Sequence, residues 1–307
     1  MIKKIRGVIV PLVTPFDEKG AIDNTATQNL VDFLIERGVH GLFPGGTTGE
    51  GPLLTTQERR ALAEAVVQAA AGRVPVIIHT GAPSTAQAVE LTCHAQAIGA
   101  FGAALVPPYY YQHSDEALFR HFAEVASQAS GFPIYLYDNP SVTGNHLRVE
   151  LIARLVEHCP NIAGMKDSSG ALDTLFACAT LRNGQFNTAT GPDQLILAGL
   201  AMGFDACVSG DANVVPELVV SLFRAVQSDD MGTARQLHRK LEQVRLLLGD
   251  SNLALFKAML ARRGIPVGTV RPPLLPASEE KIAECWQLLC QMDLPLVPVE
   301  LTARHSA

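Results

Sequence analysis

Gly7-Val8-Ile9-Val10-Pro11-Leu12-Val13-Thr14-Pro15 is a β-rich run that ends in a turn without a glycine. That ending separates two folds. A doubly wound sheet that holds a dinucleotide carries a glycine-rich turn after its first strand, where the backbone must approach a pyrophosphate, and Pro11 to Pro15 cannot be that turn. Outward from this stretch, β-rich runs recur at 7–13, 41–45, 74–80, 103–107, 133–138, 162–167, 186–190 and 204–209, with helical patterns between them. Thr27, Leu30, Val31 and Leu34, and again Leu62, Val66 and Ala69, fall at spacings of three and four that lay one apolar stripe against a sheet. Thr55-Thr56-Gln57-Glu58 and Ser84-Thr85-Ala86-Gln87 each fit a capping box at a helix start. Eight strand–helix units predict an α/β fold, the closed (β/α)8 TIM barrel. After Asp229 the strand signals stop. Helical patterns at 231–248, 251–263 and 278–292 predict a C-terminal helical appendage, which divides the chain into a barrel at 1–229 and a helical region at 230–307, with residues beyond Pro295 loosely held.

The 307 residues are 48% hydrophobic and 18% charged, enough apolar surface for a large core and too little charge for a disordered chain. A net charge of −6 argues against a surface built to hold phosphate backbones, so nucleic acid is not an expected partner. The opening Met1-Ile2-Lys3-Lys4 and the apolar run after it imitate a secretory signal, but Pro11 interrupts the run and Thr14-Pro15-Phe16-Asp17 is no cleavage site. No apolar stretch approaches the roughly 18 residues that span a bilayer; the longest candidate, Leu195 to Phe204, contains Gly199 and Gly203. The six cysteines form no CxxC pair and read as buried thiols of a reducing compartment. A cytoplasmic protein with no membrane partner is expected.

In such a barrel the chemistry sits at the C-terminal ends of the strands. The sixth run ends in Lys166, on the same face as Gly164 and Ile162 by two-residue alternation, so an inward face would bury the amine among apolar side chains. Burial disfavours an ammonium, and a neutral amine attacks ketones to form Schiff bases. The same position equally suits a lysine that caps the strand end and snorkels to solvent. Gly45-Gly46-Thr47-Thr48-Gly49-Glu50-Gly51 lacks the lysine of a phosphate-binding loop; its hydroxyls and free N–H groups suit a small anion such as a carboxylate, or make an ordinary strand-to-helix turn. Tyr137 ends the fifth run, beside the strand of Lys166, where a phenol can shuttle protons or serve as a core aromatic. Tyr109, Tyr110 and Tyr111 suit a subunit contact or a binding wall. The nine histidines show no paired ligand spacing, so no metal is predicted, and no serine lies in a G-x-S-x-G elbow.

The Pro11-Leu12-Val13-Thr14-Pro15-Phe16 start, the GGTTGE turn, the Y-x-N-P-x-x-T-G segment at 137–144 and the G-x-K-D strand at 164–167 occur in an order that resembles the pyruvate-dependent class I aldolases, typified by dihydrodipicolinate synthase and N-acetylneuraminate lyase. The resemblance spans nearly the whole chain. It implies that Lys166 forms an imine with pyruvate or a 2-keto acid, with no metal or organic cofactor, and that Tyr137 transfers protons. Thr47 and Thr48 would bind the keto-acid carboxylate at the turn that also holds Gly46, and Thr48 would join a hydroxyl relay. Tyr110 would complete the relay from a neighbouring subunit of a homotetramer, a dimer of dimers, while Gly191 and Val208 would line the pyruvate end of the pocket. Dihydrodipicolinate synthases usually carry an arginine two residues before the last glycine of the strand-five segment, where it holds the second substrate's carboxylate. Val142 offers neither charge nor donor there, and an unpaired carboxylate costs a few kcal/mol. Sialic acid lyases also lack that arginine, but usually lack Asp138-Asn139 and Thr143 as well. The pattern is closer to 2-keto-3-deoxy sugar-acid aldolases, joining or parting pyruvate and an aldehyde; dihydrodipicolinate synthase activity and dehydration of a 2-keto-3-deoxy acid are the alternatives. Outside the enzymes of this family, a keto-acid-binding sensor barrel and a phosphate-binding enzyme are the competing readings.

Overall fold

Each β-rich run forms a strand, and none is longer than its run. The computed structural model describes residues 4–294, so the expectation for residues beyond Pro295 lies outside the described residues. The strands are β1 (Gly7–Val10), β2 (Gly41–Leu42), β3 (Ile77–His79), β4 (Gly102–Leu105), β5 (Ile134–Asp138), β6 (Ile162–Asp167), β7 (Asn187–Thr190) and β8 (Ala206–Val208). Pro11, Pro44 and Pro107 follow β1, β2 and β4 closely. Having no N–H, they cannot extend a ladder, and the chain turns out toward the rim.

All pairings are parallel, in the order β2-β1-β8-β7-β6-β5-β4-β3, and a parallel bridge between Leu42 and Val76 joins the two ends. The result is a closed (β/α)8 barrel. Period-two alternation sorts its side chains into two cores. Ile9, Tyr135, Tyr137 and Val208 fill the interior, while Val8, Val10, Ile134 and Leu136 face the surrounding helices. At β6 the alternation slips. Ile134 pairs with Ile162 but Tyr135 pairs with Gly164, so one residue of β6 is left over in a bulge. Ile162 therefore joins the outer core and Ala163 the inner one, contrary to the expectation that Ile162 shares the face of Lys166. Beyond the bulge the phase is restored. A Cβ on Gly164 would lie 2.3 Å from the Asn187 carbonyl oxygen, so glycine is what lets β6 and β7 close here.

Thr55 and Glu58 form the reciprocal capping box. At Ser84 only half of one exists: its hydroxyl accepts from Gln87 N, whereas the Gln87 side chain donates to Thr56 Oγ1 at 2.8 Å. The appendage comprises helices Met231–Leu247, Leu253–Arg262 and Glu279–Gln291. Their apolar faces continue the outer core, and Arg263 is bonded to Glu217 on the last barrel helix at 2.6 and 3.1 Å. All six cysteines are free; Cys159, Cys178, Cys207 and Cys285 are buried, but Cys290 is exposed because its helix turns Cys285 and Leu289 inward instead. No described helix is long and apolar enough to cross a membrane.

Candidate active site

Lys166 and Tyr137 are register partners on adjacent strands, so their side chains rise from the same level of the barrel wall. Lys166 is only 9% exposed, and its Nζ lies 4.0 Å from the centroid of the Tyr137 ring and 5.1 Å from that of Phe43. The amine therefore does not snorkel: two rings hold it at the mouth of the barrel. Beneath it, Ile9, Ile77, Ala104, Tyr135, Ala189 and Val208 surround a cavity of about 30 Å³, which makes the amine the lid of a nearly filled apolar core. Asp167 points the other way, accepting from Ser169 N, Ser169 Oγ and Gly170 N. It is no counter-ion to the amine.

The Tyr137 phenol is fully enclosed. Burial pushes its pKa up, but the Lys166 charge and hydrogen bonds with Thr47, Lys166 and Asn139 outweigh that and bring it below its ordinary value. Asn139 Nδ2 donates to the phenol oxygen at 3.1 Å. The turn residue that reaches the phenol is thus Thr47, where the relay was expected at Thr48; the residues after β2 follow a turn, not a strand alternation, so spacing does not foretell which hydroxyl points inward. Thr47 is exposed and Thr48 half-buried at the open mouth, next to Gly46. Gly191 follows β7 with its N–H on Asp167 O, and a Cβ there would stand 2.1 Å from Ser168 Oγ and 3.1 Å from Lys166 Cε. Only glycine leaves that side of the amine open.

Tyr110 is 88% exposed and adopts φ 83°, a left-handed conformation that is unfavourable for an aromatic residue. Its ring meets that of the likewise outward-facing Tyr111 edge to face at 5.0 Å, and neither belongs to either apolar core. Asn145 holds the segment: its Nδ2 donates to Pro108 O at 2.9 Å and Tyr111 O at 2.8 Å, and its Oδ1 accepts from His113 N. The loop after β5 thereby sets the loop after β4. Val142, in the same β5 loop, is 55% exposed.

Sequence reasoning missed two features. His79 closes β3 beside Phe43 and Tyr137, with ring centroids 5.9 and 6.0 Å away. Its Nδ1 stands 3.2 Å from Nη2 of buried Arg59, which can only donate, so the ring proton sits on Nε2. Burial first, then the charges of Arg59 and Lys166, push its pKa well down and keep it neutral. The end-of-strand rule that flags Lys166 would also have flagged His79.

Asp193 and Asp211 form a buried acidic pair behind β8; Asp211 follows the end of the eighth run, but nothing in the sequence marks it as buried or pairs it with Asp193. Asp193 accepts from Ser209 Oγ and Gly210 N; Asp211 is fully buried, and neither of its oxygens has a hydrogen-bond partner. Burial, and then the Asp193 charge, push the Asp211 pKa well up. A raised carboxyl pKa means that the folded chain binds the proton more tightly, so this contribution is intact below the ordinary value near 4 and is lost as the pH rises through the folded value. Asp211→Asn should accordingly leave the melting temperature unchanged near pH 4 and raise it at pH 7.5, by roughly 2–4 °C per kcal/mol relieved in a chain of this size. Thermal melts at both pH values test this, and a lower melting temperature at pH 7.5 would refute it.

A sequence profile described as the Dihydrodipicolinate synthetase family matches residues 4–292. Among curated relatives, the probable 2-dehydro-3-deoxy-D-pentonate aldolase YjhH of Escherichia coli K12 is 38% identical over 91% of this chain and 94% of its own length. The 4-hydroxy-tetrahydrodipicolinate synthase of Methanopyrus kandleri is 39% identical over 90% and 93%. Of solved structures, dihydrodipicolinate synthase from Aquifex aeolicus superposes with a TM-score of 0.89 at 34% identity, covering 95% of this chain and 99% of that one. YagE from Escherichia coli K12, solved in complex with pyruvate, gives 0.88 at 33% identity, covering 94% and 99%.

Proposed function

The chain belongs to the dihydrodipicolinate synthetase family of pyruvate-dependent class I lyases and aldolases, and from that membership we propose that it is a 2-keto-3-deoxy sugar-acid aldolase working through an imine on Lys166. The observation that supports this reading is the amine held at 9% exposure between two aromatic rings, its Nζ 4.0 Å from the centroid of the Tyr137 ring. Lys166 Nζ attacks the C2 ketone, and the carbinolamine loses water to give the imine. A base takes the proton of the C4 hydroxyl, the C3–C4 bond breaks, and its electrons form an enamine as the aldehyde leaves. Protonation at C3 and hydrolysis return pyruvate and free amine. Tyr137 handles these protons, with Thr47 as its hydroxyl neighbour, and Thr47 and Thr48 hold the keto-acid carboxylate beside Gly46. Gly191 and Val208 bound the pyruvate methyl side.

Val142 favours a polyhydroxylated aldehyde over a second substrate with a carboxylate, because it supplies no cation at the exposed lip of the site. Relatives of both kinds match at nearly equal identity, so this position, and not overall similarity, supports the choice. The exposed, strained Tyr110 fits a residue donated to a neighbouring subunit's site, hence a homotetramer built from dimers. Free, mostly buried thiols fit the cytoplasm. Incubation with pyruvate and borohydride should leave a single covalent adduct, and a panel of 2-keto-3-deoxy acids should be cleaved. An unmodified chain, or cleavage confined to no member of the panel, overturns the proposal.

A further inference from the structure

Glu50, the last residue of the GGTTGE turn, adopts φ 56° and ψ 27°, a left-handed conformation that a residue with a side chain holds only when its surroundings impose it. Its carboxylate is buried although the turn's other face is open at Thr47. Oε1 lies 2.6 Å from Lys257 Nζ, and Oε2 accepts from Arg271 N at 2.7 Å. Lys257 is 1% exposed on the helix Leu253–Arg262; its Nζ also donates to Thr269 O at 2.8 Å and sits 4.2 Å above the Phe16 ring. Within the turn, Glu50 N donates to Thr47 O at 3.1 Å and Gly51 N to Gly46 O at 3.0 Å. The Thr47-Thr48 segment is thus folded onto Glu50, and Glu50 is anchored to the appendage.

A buried ion pair is seldom more stabilising than apolar packing of the same volume; its distinctive effect is to allow one arrangement only, because either charge alone would be stranded. Since the working face of the turn is unpacked, its position is set from behind. We infer that Glu50, through Lys257 and the Arg271 backbone, is a positioning residue for the carboxylate-binding turn, so that the helical appendage controls keto-acid affinity. This rests on the proposed binding of the keto acid at Thr47 and Thr48.

The pyruvate dependence of borohydride trapping tests it, with the intact chain throughout. In Glu50→Gln/Lys257→Met both charges vanish together and none is stranded. The half-saturating pyruvate concentration should rise about tenfold or more, while the trapping rate at saturation stays within roughly threefold, because displacing a binding group by a fraction of an ångström weakens binding without removing the nucleophile. Glu50→Gln alone leaves the buried Lys257 charge without its counter-charge and should likewise raise half-saturation, by about threefold or more. Half-saturation equal to wild type in the folded double variant overturns the inference, as does a loss confined to the saturated rate. Should the double variant fail to fold, unchanged half-saturation in Glu50→Gln overturns it. Absence of trapping in the wild-type chain would instead defeat the imine reading itself, so the two failures are distinguishable.

Discussion

Lys166→Met is expected to abolish pyruvate trapping and to lower aldol cleavage by at least about 10⁴-fold. The imine splits one difficult carbon–carbon cleavage into steps that each have a low barrier, and without the amine no electron sink remains at C2. Methionine suits the test because the side chain lies between Phe43 and Tyr137 over an apolar cavity, where an unbranched thioether fills nearly the same volume. The fold should persist, as far-ultraviolet circular dichroism and an unchanged elution volume would show. Mass spectrometry after pyruvate and borohydride should then find no adduct on the variant and one adduct on the wild type. An adduct of undiminished yield on the variant would place the nucleophile elsewhere, with buried Lys257 the first alternative to examine.

Tyr137→Phe is expected to lower turnover by roughly 10²–10⁴-fold while leaving the ring in place. The ring contacts with Phe43 and His79, at 5.8 and 6.0 Å, survive the change; only the hydroxyl and its bonds to Thr47, Lys166 and Asn139 are lost. Buried Asn139 would then have an unpaired donor, a stability cost of about 1–3 kcal/mol that a thermal melt reads separately from activity. Imine formation also requires proton transfer, so trapping of pyruvate should slow without ceasing. The pH dependence should change as well. The Lys166 charge and the hydrogen bonds hold the phenol below its ordinary pKa in the wild type, and removing it should erase the alkaline limb that it contributes. A variant within threefold of wild-type turnover, with an unaltered alkaline limb, would show that Tyr137 merely packs.

Much of the site was legible because a parallel barrel brings strand ends together by rule. Lys166 and Tyr137 could be paired from the count of strands alone, since consecutive runs are neighbours in the wall, and the structure makes them register partners. The limits of that rule are local. At β6 a single bulge residue moved Ile162 to the outer face, and no composition signal distinguishes Ile162-Ala163-Gly164 from an unbroken alternation. In the turn after β2, either hydroxyl could have reached the phenol, and in the folded turn it is Thr47 that does. No sequence pattern singles out Asn145, whose bonds to Pro108 and Tyr111 hold two loops together, because those partners lie more than thirty residues away along the chain.

By itself the amino-acid sequence determined the eight-unit architecture, its family and the identity of the chemical groups, because strand and helix periodicities and end-of-strand positions are properties of near neighbours along the chain. Tertiary structure alone decided which of those groups touch. The Glu50–Lys257 bond spans some two hundred residues, and the unpartnered Asp211 and the neutral His79 beside Arg59 arise from burial, which depends on what the rest of the molecule excludes from water.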